Sequence, residues 1–281
     1  MNRRKIILMI VAIGLIAFAF SFLNSEPEVV ESPIDIEIGK VFTAIEYPKE
    51  MYVLNYKIGD LTGDSVNDVV ILVGEKESVE KTETKNVDVV FYDGSLQKYS
   101  NANLKKLEGN QARLELADLT GDNLNDIVVI LETGVKTGDK TIRVVTIEQQ
   151  KLKEIWKAKD NQYIRFTGNF VDGFKVNLSN RKLNINKEID LKNESNSWVE
   201  NGVFEQSGKC VDNDNFKIKT TGFIELEFVQ LTGSMGIKTK QRIVTSDNKN
   251  IIEEINLIWK YEEGKWQIKE AVGVKLGNLL Y

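Results

Sequence analysis

The phrase Asp-Leu-Thr-Gly-Asp-x-x-Asn-Asp is written twice in this chain, from Asp60 to Asp68 and from Asp118 to Asp126. Each copy follows an alternating apolar approach (Tyr56 and Ile58; Leu114 and Leu116) and runs straight into an apolar block, Val69 to Val73 or Ile127 to Leu131. Turn-forming residues between apolar runs of strand length predict a strand, an acidic loop and a second strand. The duplication predicts two such units in equivalent settings.

Strand signals continue beyond the repeats. Val87 to Tyr92, Ile142 to Glu148, Lys217 to Phe228, Arg242 to Ser246 and Ile252 to Lys260 alternate or run apolar and are rich in β-branched and aromatic residues. Hairpin turns are predicted at Asp93-Gly94, Gln149-Gln150 and Glu263-Gly264. Counting back 33 residues from Glu263, the offset between Asp60 and Asp93, reaches Gln230, which opens Gln-Leu-Thr-Gly-Ser. This is a third, decayed copy in which Gln230, Ser234 and Lys238 stand where the others have aspartates.

The three copies start 58 and then 112 residues apart, so a unit lacking the motif is expected between the second and third. Phe170 to Phe174, with strands over Lys175 to Leu178 and Asn184 to Leu191, fits that place. The expected fold class is therefore all-β, a small β-propeller-like array of about four blades. Its units fall near 54–100, 112–158, 162–215 and 222–275. Two packed β-sandwiches are the alternative.

At the N-terminus, Met-Asn-Arg-Arg-Lys precedes an uncharged apolar run from Ile6 to Leu23, the order of an export segment. Its length favours a transmembrane signal anchor, while Ala17-Phe18-Ala19 and Ala19-Phe20-Ser21 would also serve as signal-peptide cleavage sites. Residues 1–23 are thus a signal anchor or signal peptide, and 24–37 an acidic spacer broken by Pro27 and Pro33. Residues 38–281 form the repeat-built β domain. The expected location is the cell membrane, single-pass through residues 6–23 with the C-terminal domain outside, or secretion after cleavage.

Each acidic loop has calcium-loop spacing. Asp60, Thr62, Asp64, the carbonyl of Val66, and Asp68 occupy positions one, three, five, seven and nine; Asp118, Thr120, Asp122, the carbonyl of Leu124, and Asp126 repeat them. A hard cation takes several oxygens, and a curled loop delivers them at this spacing, so structural Ca2+ is expected. The competing reading is a pair of Asx turns in which the aspartates bind their own backbone.

These residues resemble the VCBS or FG-GAP type repeat of integrin α-subunit propellers and of many exported bacterial proteins. The resemblance implies calcium at Asp60, Asp64 and Asp68 and at Asp118, Asp122 and Asp126, with propeller blades around them. Thr62 and Thr120 depart from the usual aspartate or asparagine, and Ser65 and Asn123 from the usual glycine. The layout also resembles uncharacterised exported proteins of Gram-positive bacteria that carry such repeats.

The chain has no histidine, which removes Ser-His-Asp and Cys-His nucleophile systems and histidine-ligated metals. A net charge of -5 argues against nucleic acid as a partner. The single cysteine, Cys210, cannot form an internal disulfide. Trp156, Trp198, Trp259 and Trp266 suit either core packing or a sugar-binding face. The expected function is that of a non-enzymatic, membrane-anchored, extracytoplasmic protein with calcium-stabilised loops that binds, adheres or scaffolds, its partner a protein or glycan. A carboxylate-dependent carbohydrate-active hydrolase, for which Glu253-Glu254 and Glu262-Glu263 supply acids, is one alternative. A sensor or assembly subunit docking on a membrane partner is the other.

Overall fold

A computed structural model of the protein describes residues 34–272 apart from 79, 103, 105, 134–138, 158–163, 182 and 212–215. The apolar segment 6–23, expected to be an anchor or signal, lies outside the described residues. Among the described residues no helix is long and apolar enough to cross a membrane. The expected single-pass architecture, with its membrane partner and membrane location, is therefore not supported by the described residues.

The described strands form four antiparallel sheets in chain order. β1 (Tyr52–Gly59), β2 (Asp68–Glu75), β3 (Lys85–Asp93) and β4 (Lys98–Ala102) make the first, and β5 (Asn110–Ala117), β6 (Asp126–Glu132), β7 (Lys140–Glu148) and β8 (Lys151–Trp156) the second. The third holds β9 (Thr167–Val171), β10 (Lys175–Asn180) and β11 (Ile185–Asp190), followed by a 3-10 turn and the short helix α1 (Ser195–Glu200). The fourth holds β12 (Ile218–Thr220), β13 (Glu225–Leu231), β14 (Ser234–Thr245), β15 (Ile251–Glu262) and β16 (Lys265–Val272).

The two apolar blocks become β2 and β6, and their lack of alternation has a direct cause. Val69, Ile71 and Val73 pack with Ile34, Ile36, Phe42 and Ile45 of the N-terminal strap, whereas Val70 and Leu72 turn the other way. That second face meets Ile127, Val129 and Leu131 of β6, whose own alternate residues Val128 and Ile130 face the third and fourth sheets. A strand covered on both sides has no solvent face on which to place polar residues. The first and second sheets are thus successive slabs of one stack.

This layout corrects the expected propeller. Propeller blades are repeated four-stranded sheets around a channel, but here the third sheet has three strands and a helix, and the fourth has five with a branch. Both β12 and β13 pair with one edge of β14, at Ile243 to Thr245 and at Ser234 to Lys240 respectively. β14 and β15, each 12 residues long, continue past the length of the strands in the first two sheets. Two separate sandwiches do not describe the molecule either, because the second sheet contributes to the core on both of its faces.

Local features follow from the residues. Gln149 and Gln150 (φ 52° and 58°) and Glu263 and Gly264 (φ 51° and 76°) form two-residue turns with both central residues left-handed, matching the twist of the flanking strands. The run from Lys217 to Phe228 is not one strand. It breaks after β12, where Phe223 drops into the core and bridges to Lys140, and the chain resumes as β13. The third copy of the motif has shrunk to a hairpin: only Thr232 and Gly233 separate β13 from β14, so Ser234 and Lys238 are strand residues rather than loop ligands.

Candidate functional site

The acidic phrases connect β1 to β2 and β5 to β6, and each loop turns on two left-handed residues, Gly63 and Ser65 in one and Gly121 and Asn123 in the other. Their carboxylates point at their own backbone. Asp60 accepts from the N–H groups of Gly63 (2.6 Å), Asp64 (3.2 Å) and Ser65 (2.8 Å), and Asp64 accepts from Val66 (2.8 Å). Asp68, fully buried, accepts from Leu61 (2.9 Å) and Thr62 (3.2 Å), from the Thr62 hydroxyl (3.3 Å), and through its other oxygen from Gly94 (3.0 Å).

The second loop repeats the pattern. Asp118 accepts from Gly121 (2.7 Å) and Asn123 (3.1 Å), Asp122 from Leu124 (3.0 Å), and buried Asp126 from Leu119 (2.8 Å) and Thr120 (2.9 Å). Among the described residues the Thr120 hydroxyl is buried without a hydrogen-bond partner.

Nothing in this arrangement indicates a calcium site. A cation site needs convergent oxygens, and among the described residues no group of three acidic or thiol side chains is placed to hold a metal. The Val66 and Leu124 amides donate to Asp64 and Asp122, which leaves their carbonyls out of this pattern. The calcium-stabilised loops of the sequence reading are therefore replaced by Asx-type turns in which Asp60, Asp68, Asp118 and Asp126 satisfy backbone donors.

Titration behaviour separates the two ends of the first loop, and the buried end of the second behaves like that of the first. Burial pushes the Asp68 carboxyl up, against the hydrogen bonds from Gly94 and Leu61. Burial likewise raises Asp126, opposed by the Thr146 hydroxyl and the Leu119 and Thr120 amides. At Asp60 the partial burial would raise the group, but the amides of Ser65, Gly63, Asp64 and Thr62 outweigh it and hold the carboxyl below the ordinary range. The first aspartate is half-buried in a nest of N–H groups, and the last is a buried staple.

The related turns touch in series. A Cβ on Gly63 would lie 3.2 Å from Leu124, and one on Gly121 would lie 2.7 Å from the carbonyl of Gly233; the Met235 amide donates to the Asp118 carbonyl (2.7 Å). The repeats thus serve slab-to-slab contact.

A cleft of about 390 Å³ lies where the strap crosses the first sheet, lined by Tyr47, Lys49, Glu75, Asn86, Asp88 and Lys106 among others. Its buried acid is already satisfied: Asp88 accepts from the Tyr47 hydroxyl (3.0 Å), Asn101 (3.0 Å) and the Val89 amide (2.9 Å). Burial raises the Asp88 pKa, and burial together with the adjacent carboxylate raises that of Tyr47. This is a latch holding the strap.

A second concavity, of about 480 Å³, is less committed to structure. One wall is the segment entering β9, with Arg165, Phe166 and Thr167; the other is β12 and its exit, with Lys219, Thr220 and Gly222; Asp139 and Asn248 complete it. The walls are joined where the Phe166 amide donates to the Thr220 hydroxyl (2.9 Å) and the Ile164 amide to Gln241 (3.4 Å). Arg165 is exposed and Lys219 half-buried, and neither has an ion pair among the described residues. By contrast, Lys238, Lys240 and Arg242 on the fourth sheet are spent on Glu227, Glu225 and Glu254. Among the described residues, the Asp139 Oδ1 is buried without a donor. These groove residues were not singled out in the sequence because they carry no motif and are brought together only by the packing of three sheets.

The tryptophans form no sugar platform. Trp156, Trp198 and Trp259 are buried, and Trp266 packs 4.5 Å from Trp156 while its indole donates to the Ile155 carbonyl (3.1 Å). Glu253, Glu254 and Glu262 pair with Lys187, Arg242 and Lys260.

Residues 164–273 match the family described as the YybI C-terminal domain. A stretch of 151 residues is 24% identical to the uncharacterized protein YybI of Bacillus subtilis (strain 168), covering 53% of this chain and 57% of that protein. The chain therefore aligns with little more than half the length of that relative. These matches overturn the VCBS/FG-GAP resemblance, whose motif copies at 60–68 and 118–126 lie outside the family match. The segment 164–273, which supplies all of the groove except Asp139, is thus similar to the YybI C-terminal domain.

Proposed function

We propose that the described body is a non-catalytic recognition module that takes an anionic ligand in the groove between the β9 entry and β12. The observation that carries this reading is the placement of Arg165 and Lys219 on opposite walls of one concavity, with no ion pair among the described residues to neutralise them. An unpaired charge beside a concave surface supplies both attraction and orientation to a ligand of opposite sign. Beside these cations stand Asn248 and Thr220, the latter's hydroxyl accepting from the Phe166 amide and keeping its own proton to donate. The groove lacks a nucleophile–base pair, its acid Asp139 having no second carboxylate or thiol beside it in the lining.

The test is equilibrium binding of the full-length protein to acidic peptides and acidic oligosaccharides at low salt, repeated with Arg165→Glu/Lys219→Glu. Binding by wild type that the charge reversal weakens by about tenfold, equivalent to about 1.4 kcal/mol, is the expected result. Binding indifferent to that reversal, or none, refutes the groove as the site.

A further inference from the structure

We infer that a second copy of this chain docks head to tail, with the exposed Val66 and Leu96 of one molecule seated on the open Gly233 turn of another. The three related turns cover one another in chain order. The glycine at the fourth position of each phrase leaves a gap where a side chain would stand, and the following turn fills it. The Leu124 side chain, at the seventh position of the second phrase, lies 3.2 Å from where a Gly63 Cβ would be, and the Gly233 carbonyl of the third phrase lies 2.7 Å from the same point on Gly121. The series then runs out at both ends. Among the described residues nothing comes within 4 Å of a Cβ placed on Gly233. Val66 is the seventh residue of the first phrase and the counterpart of Leu124, but no related turn precedes it, and it is 41% exposed where Leu124 is half-buried.

Apolar exposure follows the same division. Among the described residues the large exposed apolar side chains are Ile38, Val41, Val66, Leu96 and Ile251. The first four belong to the strap or to the turns of the first sheet, and the last to the fourth sheet, so the inner sheets present none. Apolar side chains gathered at one end of a molecule mark an interaction surface. Val66 leans on the β3–β4 turn that carries Leu96: a Cβ on Gly94, two residues earlier, would lie 3.1 Å from the Val66 Cγ1. The occupant follows from the pattern already made inside the chain, where an aliphatic seventh residue sits over the glycine of the preceding turn. A second molecule offers that residue to Gly233. Knob and socket are different surfaces, so each contact leaves a free knob and a free socket, and the assembly extends as a chain. Two side chains on one turn cover far less than the roughly 1,200–2,000 Å² of a stable interface, which sets the Kd on the order of 0.1–1 mM.

The experiment is sedimentation velocity of the full-length protein up to about 1 mM, with one variant for each end. Val66→Asp/Leu96→Asp spoils the knob. Gly233→Asp fills the socket, in open space and with a residue type that tolerates the left-handed backbone (φ 80°) found there. Wild type is expected to grow in mass with concentration, and each variant alone to associate at least about tenfold more weakly. An equimolar mixture of the two variants is expected to form dimers and nothing larger, because only one intact knob and one intact socket can meet. Thermal melts establish that the variants are folded; should the double variant melt early, Leu96→Asp alone, at the more exposed of the two side chains, takes its place. Wild type that stays monomeric, association that neither variant weakens, or a mixture that yields no dimer overturns the inference.

Discussion

Replacing Asp68 by alanine separates a staple from a metal ligand. The change removes the acceptor of three backbone amides, those of Leu61, Thr62 and Gly94, in a site with no solvent exposure. A hydrogen bond to a charged group contributes about 1.5–3 kcal/mol, and a buried donor left unsatisfied costs about 1–3 kcal/mol. Burial of the Asp68 charge, visible in its raised pKa, offsets part of this. The expected loss is roughly 3–4 kcal/mol. Asp64→Ala removes one bond, to the Val66 amide in an exposed setting, and is expected to cost about 0.5–1 kcal/mol. Urea denaturation of both variants, in millimolar calcium and in chelator, measures the difference. The stapling argument requires a large Asp68 effect, a small Asp64 effect and the same values in both buffers. Equal losses at the two positions, or losses that appear only with calcium, would refute it and restore the cation loop.

Gly94→Ala should destabilise by at least about 2 kcal/mol in the same assay, because the added Cβ would fall 2.1 Å from the Asn67 carbonyl oxygen and strain the amide that Asp68 holds. Trp156→Ala, at a fully buried ring packed among Phe223, Trp259 and Trp266, is expected to cost about 3–5 kcal/mol, and a loss under about 1 kcal/mol would contradict a shared core there. Carboxyl NMR titration should place Asp88 and Asp126 above the ordinary aspartate value of 3.8 and Asp60 below it. Since a raised folded pKa gives stability that is complete below the unfolded pKa and disappears as pH rises through the folded one, Asp88 and Asp126 favour the fold on acidification. Asp60 has the opposite sign, its contribution being present above the unfolded pKa and lost as pH falls through the folded one.

The parts of this fold legible in the sequence are those set by short-range chemistry. Asp60 and Asp68, eight residues apart with Gly63 between, dictate a loop, and the apolar runs after them dictate buried strands. The paired glutamines at 149 and 150 mark a hairpin for the same local reason. Spacing alone could not tell a cation cage from an Asx turn, because both use the same oxygens and differ in whether those oxygens converge. Periodicity points to equal blades but says nothing about which faces meet; that is set by the shared core holding Val70 and Ile127 and by Phe223 beside Trp156. The helix α1 is six residues long and buries one side chain, Trp198, too little to leave a helical period. The groove escaped the sequence reading because Asp139, Arg165 and Lys219 belong to different parts of the chain and meet only in three dimensions.

A slab that is apolar on both faces has no natural end. The strap from Ile34 to Met51 closes the series, laying Ile34, Ile36, Phe42 and Ile45 over one face of the first sheet and clasping it through Tyr47 to Asp88. Such a body can be lengthened in evolution by duplicating an inner slab, because each new layer presents the same greasy surfaces to its neighbours, provided the lid stays at the terminus. The same logic makes the lid the point of vulnerability: a chain that has lost it carries an open adhesive face ready to accept the next molecule.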